Sequence, residues 1–254
     1  MERKTVTLLG VRIDAVTSRQ AVELMLNMLE SGHLKRFFHA GGQHHVMTPN
    51  SEMLVEASHN RQFRKVLNET SLNVPDSVGL LHMARFTGQK LPERVAGVDT
   101  VRTLCRKLSR HHPVFLLGAG EGIAEKAAKE LKKMNTQLQV VGMHSGSPRD
   151  EDAEEIINKI KEAKPHLLLV AFGAPAQDIW IHKHLKGLPS VRVAIGVGGT
   201  FDFLAGKQKR APLWMRTVGL EWLGRLVREP KRIGRIFRAV VVFPMLVLFR
   251  KKKL

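Results

Sequence analysis

The sequence predicts an α/β fold, with one or more Rossmann-like parallel sheets flanked by helices and a basic helical C-terminal appendage. Three observations lead to this class. Short apolar stretches alternate with amphipathic helical stretches, Gly-rich or polar turns follow the apolar stretches, and the charge changes abruptly near residue 206. Apolar strands that alternate with helices are typical of a parallel sheet covered on both faces. We therefore expect a core over residues 1–206 and the appendage over residues 207–254.

The first 110 residues are expected to contain three strands, each followed by a helix. The stretch TVTLLGV (5–11) predicts the first strand, and SRQAVELMLNMLES (18–31) predicts the helix after it. A second strand is expected to end at Thr48-Pro49-Asn50, and a third at Asp76. Open α/β sheets bind ligands at the carboxyl ends of their strands, so these polar turns are candidate site positions.

From Pro113 onward the alternation is regular. Four apolar strands are predicted, and three helices separate them. The strands are PVFLLG (113–118), LQVVGMHSG (138–146), PHLLLVAFGAP (165–175) and VRVAIGVGG (191–199). The turns after the first, third and fourth of these contain further candidate binding residues, which are Gly118, Gly120, Phe172, Gly173, Gln177, Gly199 and Asp202.

These turns are compatible with more than one role. The stretch GAGEG (118–122) can hold a phosphate on backbone N–H groups or can simply form a tight turn. A nicotinamide dehydrogenase is disfavoured, because Ile123 replaces the third glycine of the dinucleotide-binding motif and no acidic residue ends the next strand. Asp76 could cap a helix or act as a general base, and the spacing leaves both readings open.

No metal site or cofactor is expected. The stretch DED (150–152) matches a D-x-D metal-binding pattern, but acidic residues in the first turn of a helix explain it more simply. The paired histidines lack companion ligands at zinc spacing. Cys105, the only cysteine, is expected to be a small apolar residue within a helix.

The basic charge is concentrated in the appendage. The chain of 254 residues has a formal net charge of +18, and fourteen Lys or Arg residues against two Glu residues from Lys207 onward supply +12 of it. This excess predicts a polyanionic partner, such as phosphates, an anionic lipid surface or nucleic acid. Arg225, Arg228, Arg232, Arg235 and Arg238 recur every three or four residues and predict one helical stripe, which Pro230 is expected to interrupt.

An apolar run, AVVVFPMLVLF (239–249), follows this stripe and is flanked by basic residues. Eleven helical residues cover about half of a hydrocarbon core of roughly 30 Å, so the run is too short to cross a bilayer. A segment lying in an anionic membrane interface fits best, and a last helix packed on the core is the alternative. The first ten residues predict no signal peptide, so we expect a cytoplasmic protein.

Six blocks of the sequence resemble the TagA/WecG/CpsF family of bacterial glycosyltransferases, in the family's order and near its spacing. The resemblance extends from about residue 5 to residue 240. The blocks are TPNSEML, VPDSVGLLHMARFTGQKLPERVAGVD, VFLLGAGEGIAEKAAKEL, FGAPAQDIWI, GVGGTFDFLAGKQKRAPLWM and GLEWLGRLVREPKRIGRIFR.

The resemblance implies an inverting, metal-independent enzyme that moves a sugar from a UDP-sugar to undecaprenyl-diphosphate-linked GlcNAc. It matches Asp76 to the general base and Thr48 to an active-site threonine. Arg94, together with Arg225, Arg232 and Arg235 of the appendage, matches positions that hold diphosphate, and Asn50 and Arg210 complete the expected substrate-binding set. The chain departs from the family pattern at Pro75 and Ser77, which flank the base, and at Asp178, where the family has Glu.

The resemblance favours N-acetylmannosamine as the transferred sugar, as in teichoic acid synthesis, with a mannosaminuronic acid or a hexose as alternatives. It implies a peripheral protein on the inner face of the cell membrane, and a homo-oligomer is compatible with the sequence. A nucleic-acid-binding protein is the competing class, because it would use the same basic appendage. We expect no nucleic-acid partner, because no recognisable binding module accompanies the basic residues.

Overall fold

The computed structural model describes residues 3–30, 42–208, 210–212, 215, 221–228 and 230–251. Its strands are β1 (Thr5–Leu8), β2 (Val11–Asp14), β3 (His44–Met47), β4 (Leu72–Asn73), β5 (Val114–Gly118), β6 (Val140–His144), β7 (Leu167–Ala171) and β8 (Val193–Gly196). Six of these strands, β3 to β8, form one parallel sheet in the order β4-β3-β8-β7-β5-β6. The predicted α/β class with a parallel sheet is confirmed.

Twelve α-helices are described around this sheet. They are α1 (Ser18–Glu30), α2 (Ser51–His59), α3 (Arg61–Glu69), α4 (Val78–Phe86), α5 (Gly97–Lys107), α6 (Ile123–Met134), α7 (Asp150–Ala163), α8 (Ala176–His184), α9 (Thr200–Leu204), α10 (Glu221–Arg228), α11 (Ile233–Phe237) and α12 (Phe243–Lys251). A π-helical stretch, Arg238–Val242, joins α11 to α12.

Strand β5 shows why the strands read as continuous apolar runs. Val114 and Leu116 are buried on the face that α1, α5 and α6 cover. Phe115 and Leu117 are buried on the opposite face, under α7 and α8. Successive side chains of a strand point to opposite faces, so a sheet covered on both sides requires apolar residues at every position.

The first expected strand, residues 5–11, is wrong in extent. The chain turns at Leu9 and Gly10, where φ is 51° and 79°, and β1 pairs with β2 as an antiparallel hairpin outside the main sheet. Left-handed values at both central residues are those of the two-residue turn that joins strands most compactly. Leu9, at the first central position, does not predict this turn, because leucine seldom adopts a positive φ. Gly10, at the second position, is typical of it.

The C-terminal helices combine a buried face with an exposed one. Phe243 and Val247 are buried in a cluster that also contains Leu54 of α2, so this part of the apolar run packs on the core. Other large apolar side chains are exposed, namely Ile233, Phe237, Val240, Val241, Met245, Leu248 and Phe249. As expected, the helix is interrupted at Pro230, which begins a 3₁₀ turn after α10. Within the described residues, no helix has the length and apolar character needed to span a membrane.

Candidate active site

The turns after β3 and β4 lie side by side at the carboxyl edge of the sheet. Thr48 follows β3 and Asp76 lies three residues after β4, and these two strands are parallel neighbours. The backbone N–H of Asp76 donates a hydrogen bond to the carbonyl oxygen of Pro49, at 2.9 Å, which joins the two turns. Asn50 caps α2 by accepting a hydrogen bond from the backbone N–H of Met53, at 3.0 Å. Two of the polar strand ends predicted from the sequence are therefore adjacent in space.

The Asp76 carboxylate is held from two directions. Its Oδ2 accepts a hydrogen bond from the backbone N–H of Gly97 at 3.1 Å, and Gly97 is the first residue of α5. Its Oδ1 lies 3.4 Å from both Nε and Nη2 of Arg94. A Cβ atom at Gly97 would lie 3.3 Å from Asp76 Oδ2 and 3.4 Å from Thr48 Oγ1, so Thr48 adjoins the same spot. Asp76 remains 23% exposed, which leaves its carboxylate accessible from the cavity described next.

A cavity of about 580 Å³ opens in front of Asp76. Its volume lies within the range of about 300–1,000 Å³ that is usual for small-molecule sites. The amino ends of α2, α4 and α5 form one side of it, through Ser51, Val78 and Gly97. The C-terminal helices form the other side, through Trp222, Arg232, Arg235, Ile236, Ala239, Val240 and Pro244. The C-terminal helices are thus part of the cavity wall.

Four arginine side chains line this cavity: Arg94, Arg210, Arg232 and Arg235. Carboxylates pair with three of them, because Arg94 contacts Asp76, Arg210 contacts Asp99 and Arg235 contacts Glu52. Among the predicted binding residues, Asn50 and these four arginines are brought together with Asp76. Arg225 belongs to α10, but its side chain lies outside the described residues.

A second group of predicted residues lies along the same sheet edge, at the ends of β5, β7 and β8. Gln177 is its centre: its Oε1 accepts hydrogen bonds from the backbone N–H of Gly173, at 3.0 Å, and of Gly198, at 2.9 Å. Gln177 thereby ties the turn after β7 to the turn after β8. The residues of this group are not part of the cavity wall. They are Gly118, Gly120, Phe172, Gly173, Gln177, Gly199 and Asp202.

The glycine-rich turn after β5 has a packing reason for its first glycine. Gly118 has a φ of 93°, and a Cβ there would lie 2.9 Å from the backbone of Ala171 and from the ring of Phe172. A larger residue would therefore push the ends of β5 and β7 apart. This supports the tight-turn reading of GAGEG, and the phosphate-binding reading stays a prediction.

The acidic stretch 150–152 and Cys105 have structural explanations. Asp150, Glu151 and Asp152 form the first turn of α7, as expected, and Asp150 accepts a hydrogen bond from Lys183 Nζ at 2.6 Å. Burial raises the pKa of the Cys105 thiol to about 12, which suits an apolar core residue. In the part of the chain that is described, no group of three or more His, Cys, Asp or Glu side chains is arranged to hold a metal ion.

Comparison with known proteins gives the family. Residues 6–254 match the glycosyl transferase WecG/TagA/CpsF family. The chain belongs to this family. A relative from Staphylococcus aureus strain MW2 is 30% identical over 251 residues, which cover 98% of this chain and 94% of that protein. Relatives from Bacillus spizizenii and Bacillus subtilis strain 168 are 31% and 30% identical, covering 75% and 82% of this chain and 74% and 80% of their own. All three are named N-acetylglucosaminyldiphosphoundecaprenol N-acetyl-beta-D-mannosaminyltransferase.

Membership of the WecG/TagA/CpsF family makes the protein a glycosyltransferase and confirms the predicted family and enzyme class.

The two departures from the family pattern beside Asp76, Pro75 and Ser77, fit the fold. Ser77 has a φ of −151°, an extended conformation that any residue adopts, so glycine is not required there. Ser77 caps α4, because its Oγ accepts a hydrogen bond from Leu80 N–H; the same Oγ lies 2.9 Å from Ser51 Oγ. The carbonyl of Pro75 accepts a hydrogen bond from the backbone N–H of Val95, at 2.8 Å.

The third departure, Asp178, lies in a crowded buried position beside Gln177. Asp178 Oδ2 is 3.4 Å from Gln177 Nε2, and its Oδ1 is 3.6 Å from Nε2 of the buried His45. A Cβ at Gly196 would lie within 3 Å of both side chains. The shorter carboxylate suits the limited space in this glycosyltransferase.

Two titratable side chains of the described cavity wall, Glu52 and His82, are absent from the predicted site residues. Glu52 was overlooked because an acidic residue in the first turn of a helix already has a sufficient explanation in the helix dipole. His82 also lines the cavity, one turn into α4, and no motif marks it. Their positions in the chain could have identified both as site residues. Each follows a polar turn at the carboxyl end of a strand and lies in the first or second turn of the next helix.

Proposed function

We propose that this glycosyltransferase moves N-acetylmannosamine from a UDP-sugar to undecaprenyl-diphosphate-linked GlcNAc, with inversion at the anomeric carbon and without a metal ion. The names of the relatives support the transferred sugar and the acceptor. The observation that carries the proposal is the Asp76 carboxylate, accessible in a cavity that four arginine side chains line. This arrangement suits a reaction whose acceptor loses a proton while its leaving group gains negative charge.

Asp76 is the general base of the proposed reaction. It accepts the proton of the acceptor hydroxyl while that oxygen forms a bond to the anomeric carbon. The bond from the anomeric carbon to the UDP oxygen breaks on the opposite face, and UDP leaves with the electron pair. The N–H of Gly97 and the guanidinium of Arg94 hold the carboxylate in place, so little reorganisation accompanies the proton transfer. Thr48, beside Gly97, adjoins the reacting groups.

The cavity wall supplies the positive charge that the leaving diphosphate needs. Three helix amino ends line the cavity, and each contributes the positive end of a helix dipole. Arginine binds phosphate oxygens in a bidentate manner and is always charged. Arg232 and Arg235 belong to the C-terminal helices, so the charge stabilisation of the transition state depends on the docking of those helices.

The C-terminal helices also supply the proposed membrane contact. Their exposed apolar side chains, with Phe249 at 61% and Ile233 at 64% exposure, stand among basic residues. Apolar side chains that enter the interface and basic residues that attract anionic headgroups together favour a peripheral site on the inner face of the membrane. A lipid-linked acceptor is delivered at that surface.

One experiment tests the reaction. The full-length protein is incubated with a panel of UDP-sugars and a short-chain lipid-diphosphate-GlcNAc, and the products are identified by mass spectrometry. We expect a mass increase of one N-acetylhexosamine with UDP-N-acetylmannosamine only. Transfer of a uronic acid or a hexose instead would replace the donor assignment, and an unchanged acceptor with every donor would refute the proposed reaction.

A further inference from the structure

Glu52 joins α2 of the core to two arginines of the C-terminal helices. Its two carboxylate oxygens accept hydrogen bonds from Arg235 Nε at 2.8 Å and 3.0 Å, and Oε1 also accepts one from Arg238 Nη2 at 3.4 Å. Both Glu52 and Arg235 line the cavity. A carboxylate that faces a guanidinium presents two oxygens much as a phosphate does. Glu52 therefore uses the Nε–H of Arg235, a donor that a phosphate group at the cavity would also use.

Neither the start of α2 nor the docking of the C-terminal helices needs this carboxylate. Asn50 already caps α2, through its hydrogen bond to Met53 N–H. The C-terminal helices are held on α2 by Phe243, which has no exposed surface, and by Val247, which is 4% exposed. Apolar burial of this extent fixes a helix far more firmly than a partly exposed ion pair does. The ion pair is therefore free to exchange partners while the helices stay docked.

We propose that Glu52 is a specificity-determining residue that holds Arg235 until the diphosphate of the substrate binds and then releases Arg235 to it. The proposal rests on the proposed function of this cavity. Glu52 positions the Arg235 guanidinium at the cavity wall and competes with the ligand for it. An anion displaces the carboxylate only if it binds the guanidinium more strongly, as a bidentate diphosphate does. The returning carboxylate then promotes the departure of UDP after transfer.

Competition and anchoring predict opposite effects of the same substitution. If Glu52 competes with the ligand, Glu52→Gln removes the competing charge and tightens diphosphate binding. If Glu52 mainly anchors the helices, the same substitution weakens diphosphate binding. Exposed ion pairs contribute modestly, so we expect the Kd of UDP to fall by a factor of about two to five, with a smaller change at high salt. The measurement is isothermal titration of the full-length protein with UDP and, separately, with inorganic pyrophosphate.

Glu56→Gln is the matched control. Glu56 lies one turn further along α2, pairs with His59 at 3.2 Å and accepts a hydrogen bond from Asn60 at 3.0 Å. The Glu56→Gln substitution removes the same charge from the same helix, and Glu56 contacts neither Arg235 nor Arg238. The Kd of UDP should therefore stay unchanged. An equal tightening in Glu56→Gln would mean that a general charge effect operates, and it would overturn the role of Glu52.

A double-substitution cycle tests whether Glu52 acts through Arg235. In an Arg235→Gln background, Glu52→Gln should produce a clearly smaller gain in affinity than in the wild type. Weaker or unchanged UDP binding in Glu52→Gln, or a full gain in the Arg235→Gln background, overturns the inference. Binding of pyrophosphate but not of UDP, with the Glu52 effect intact, would instead reject the nucleotide donor and retain the role of Glu52. Binding of neither probe to the wild type would reject both.

Discussion

Replacing Asp76 with Asn tests its role as the general base, because the substitution should lower kcat without weakening the binding of UDP. The amide has nearly the same shape, and its oxygen can still accept the hydrogen bond from Gly97 N–H, so the turn should keep its conformation. The lost partner is Arg94, at 3.4 Å, and both side chains are 23% exposed. A partly exposed pair of this kind contributes about 0–1 kcal/mol to stability, so the variant should remain folded.

The catalytic effect should be far larger than the effect on stability. General-base catalysis is worth about 10²–10⁴-fold, which corresponds to about 2.7–5.5 kcal/mol of activation free energy. We expect kcat to fall by that factor in Asp76→Asn. The Kd of UDP should stay the same or fall slightly, because the cavity loses a negative charge and Arg94 loses a competing carboxylate.

The assay is the transfer of N-acetylmannosamine to a short-chain acceptor, with UDP binding measured by titration on the same samples. Asp202→Asn is the comparison variant, because Asp202 is a carboxylate at the same sheet edge but outside the cavity wall. Turnover near the wild-type rate in Asp76→Asn, or a larger loss in Asp202→Asn, would refute the assignment of the base.

Three further predictions concern metal dependence, charge and packing. Turnover should survive EDTA, because arginines supply the positive charge; loss on chelation that Mg²⁺ or Mn²⁺ restores would contradict this. Arg232→Ala should lower kcat by roughly 10²-fold and raise the Kd of UDP much less, since the charge matters most in the transition state; equal changes in both would indicate ground-state binding only. Phe243→Ala should cost about 3–5 kcal/mol in unfolding experiments, whereas Phe249→Ala, at a position 61% exposed, should cost less than about 0.5 kcal/mol; similar values for the two would mean that α12 is not packed as described.

The sheet could be predicted from the sequence because its periodicity is strong. Strands such as Leu167–Ala171 are buried on both faces and therefore read as unbroken apolar runs between amphipathic helices. The polar turns at Thr48 and Asp76 were recognisable because a parallel sheet places every strand's carboxyl end at one edge. The hairpin at Leu9 escaped prediction, since a turn with leucine in the left-handed region resembles a continuous strand.

The division of the predicted site residues into two groups could not be read from the sequence. Gln177 and Asp76 both follow strands at the same edge, but their strands occupy different positions in the sheet order. Only the tertiary structure shows that the C-terminal helices cover the ends of β3 and β4. The partner of Arg235 was equally hidden, because Glu52 lies more than 180 residues away along the chain.

The stretch from α11 to α12 presents three different surfaces, because residues four apart lie on the same side of a helix. One row lines the cavity, one is buried on the core, and one is exposed outside the cavity wall. The cavity row is Ile236, Val240 and Pro244; the core row is Phe243 and Val247; the exposed row is Phe237, Val241 and Met245. The proposed membrane contact of the exposed row would therefore also fix the position of the helices that form the cavity wall.

This linkage gives a test on the exposed row. Met245 is 48% exposed, so Met245→Glu should leave the fold intact while it adds a negative charge that anionic lipid repels. Sedimentation with anionic vesicles should decrease, and turnover of a long-chain acceptor embedded in those vesicles should fall several-fold. Turnover of a soluble short-chain acceptor should stay unchanged, because the cavity row is untouched. Unchanged vesicle binding would contradict the membrane role of the exposed row, and a loss with both acceptors would show that this row contributes to the site itself.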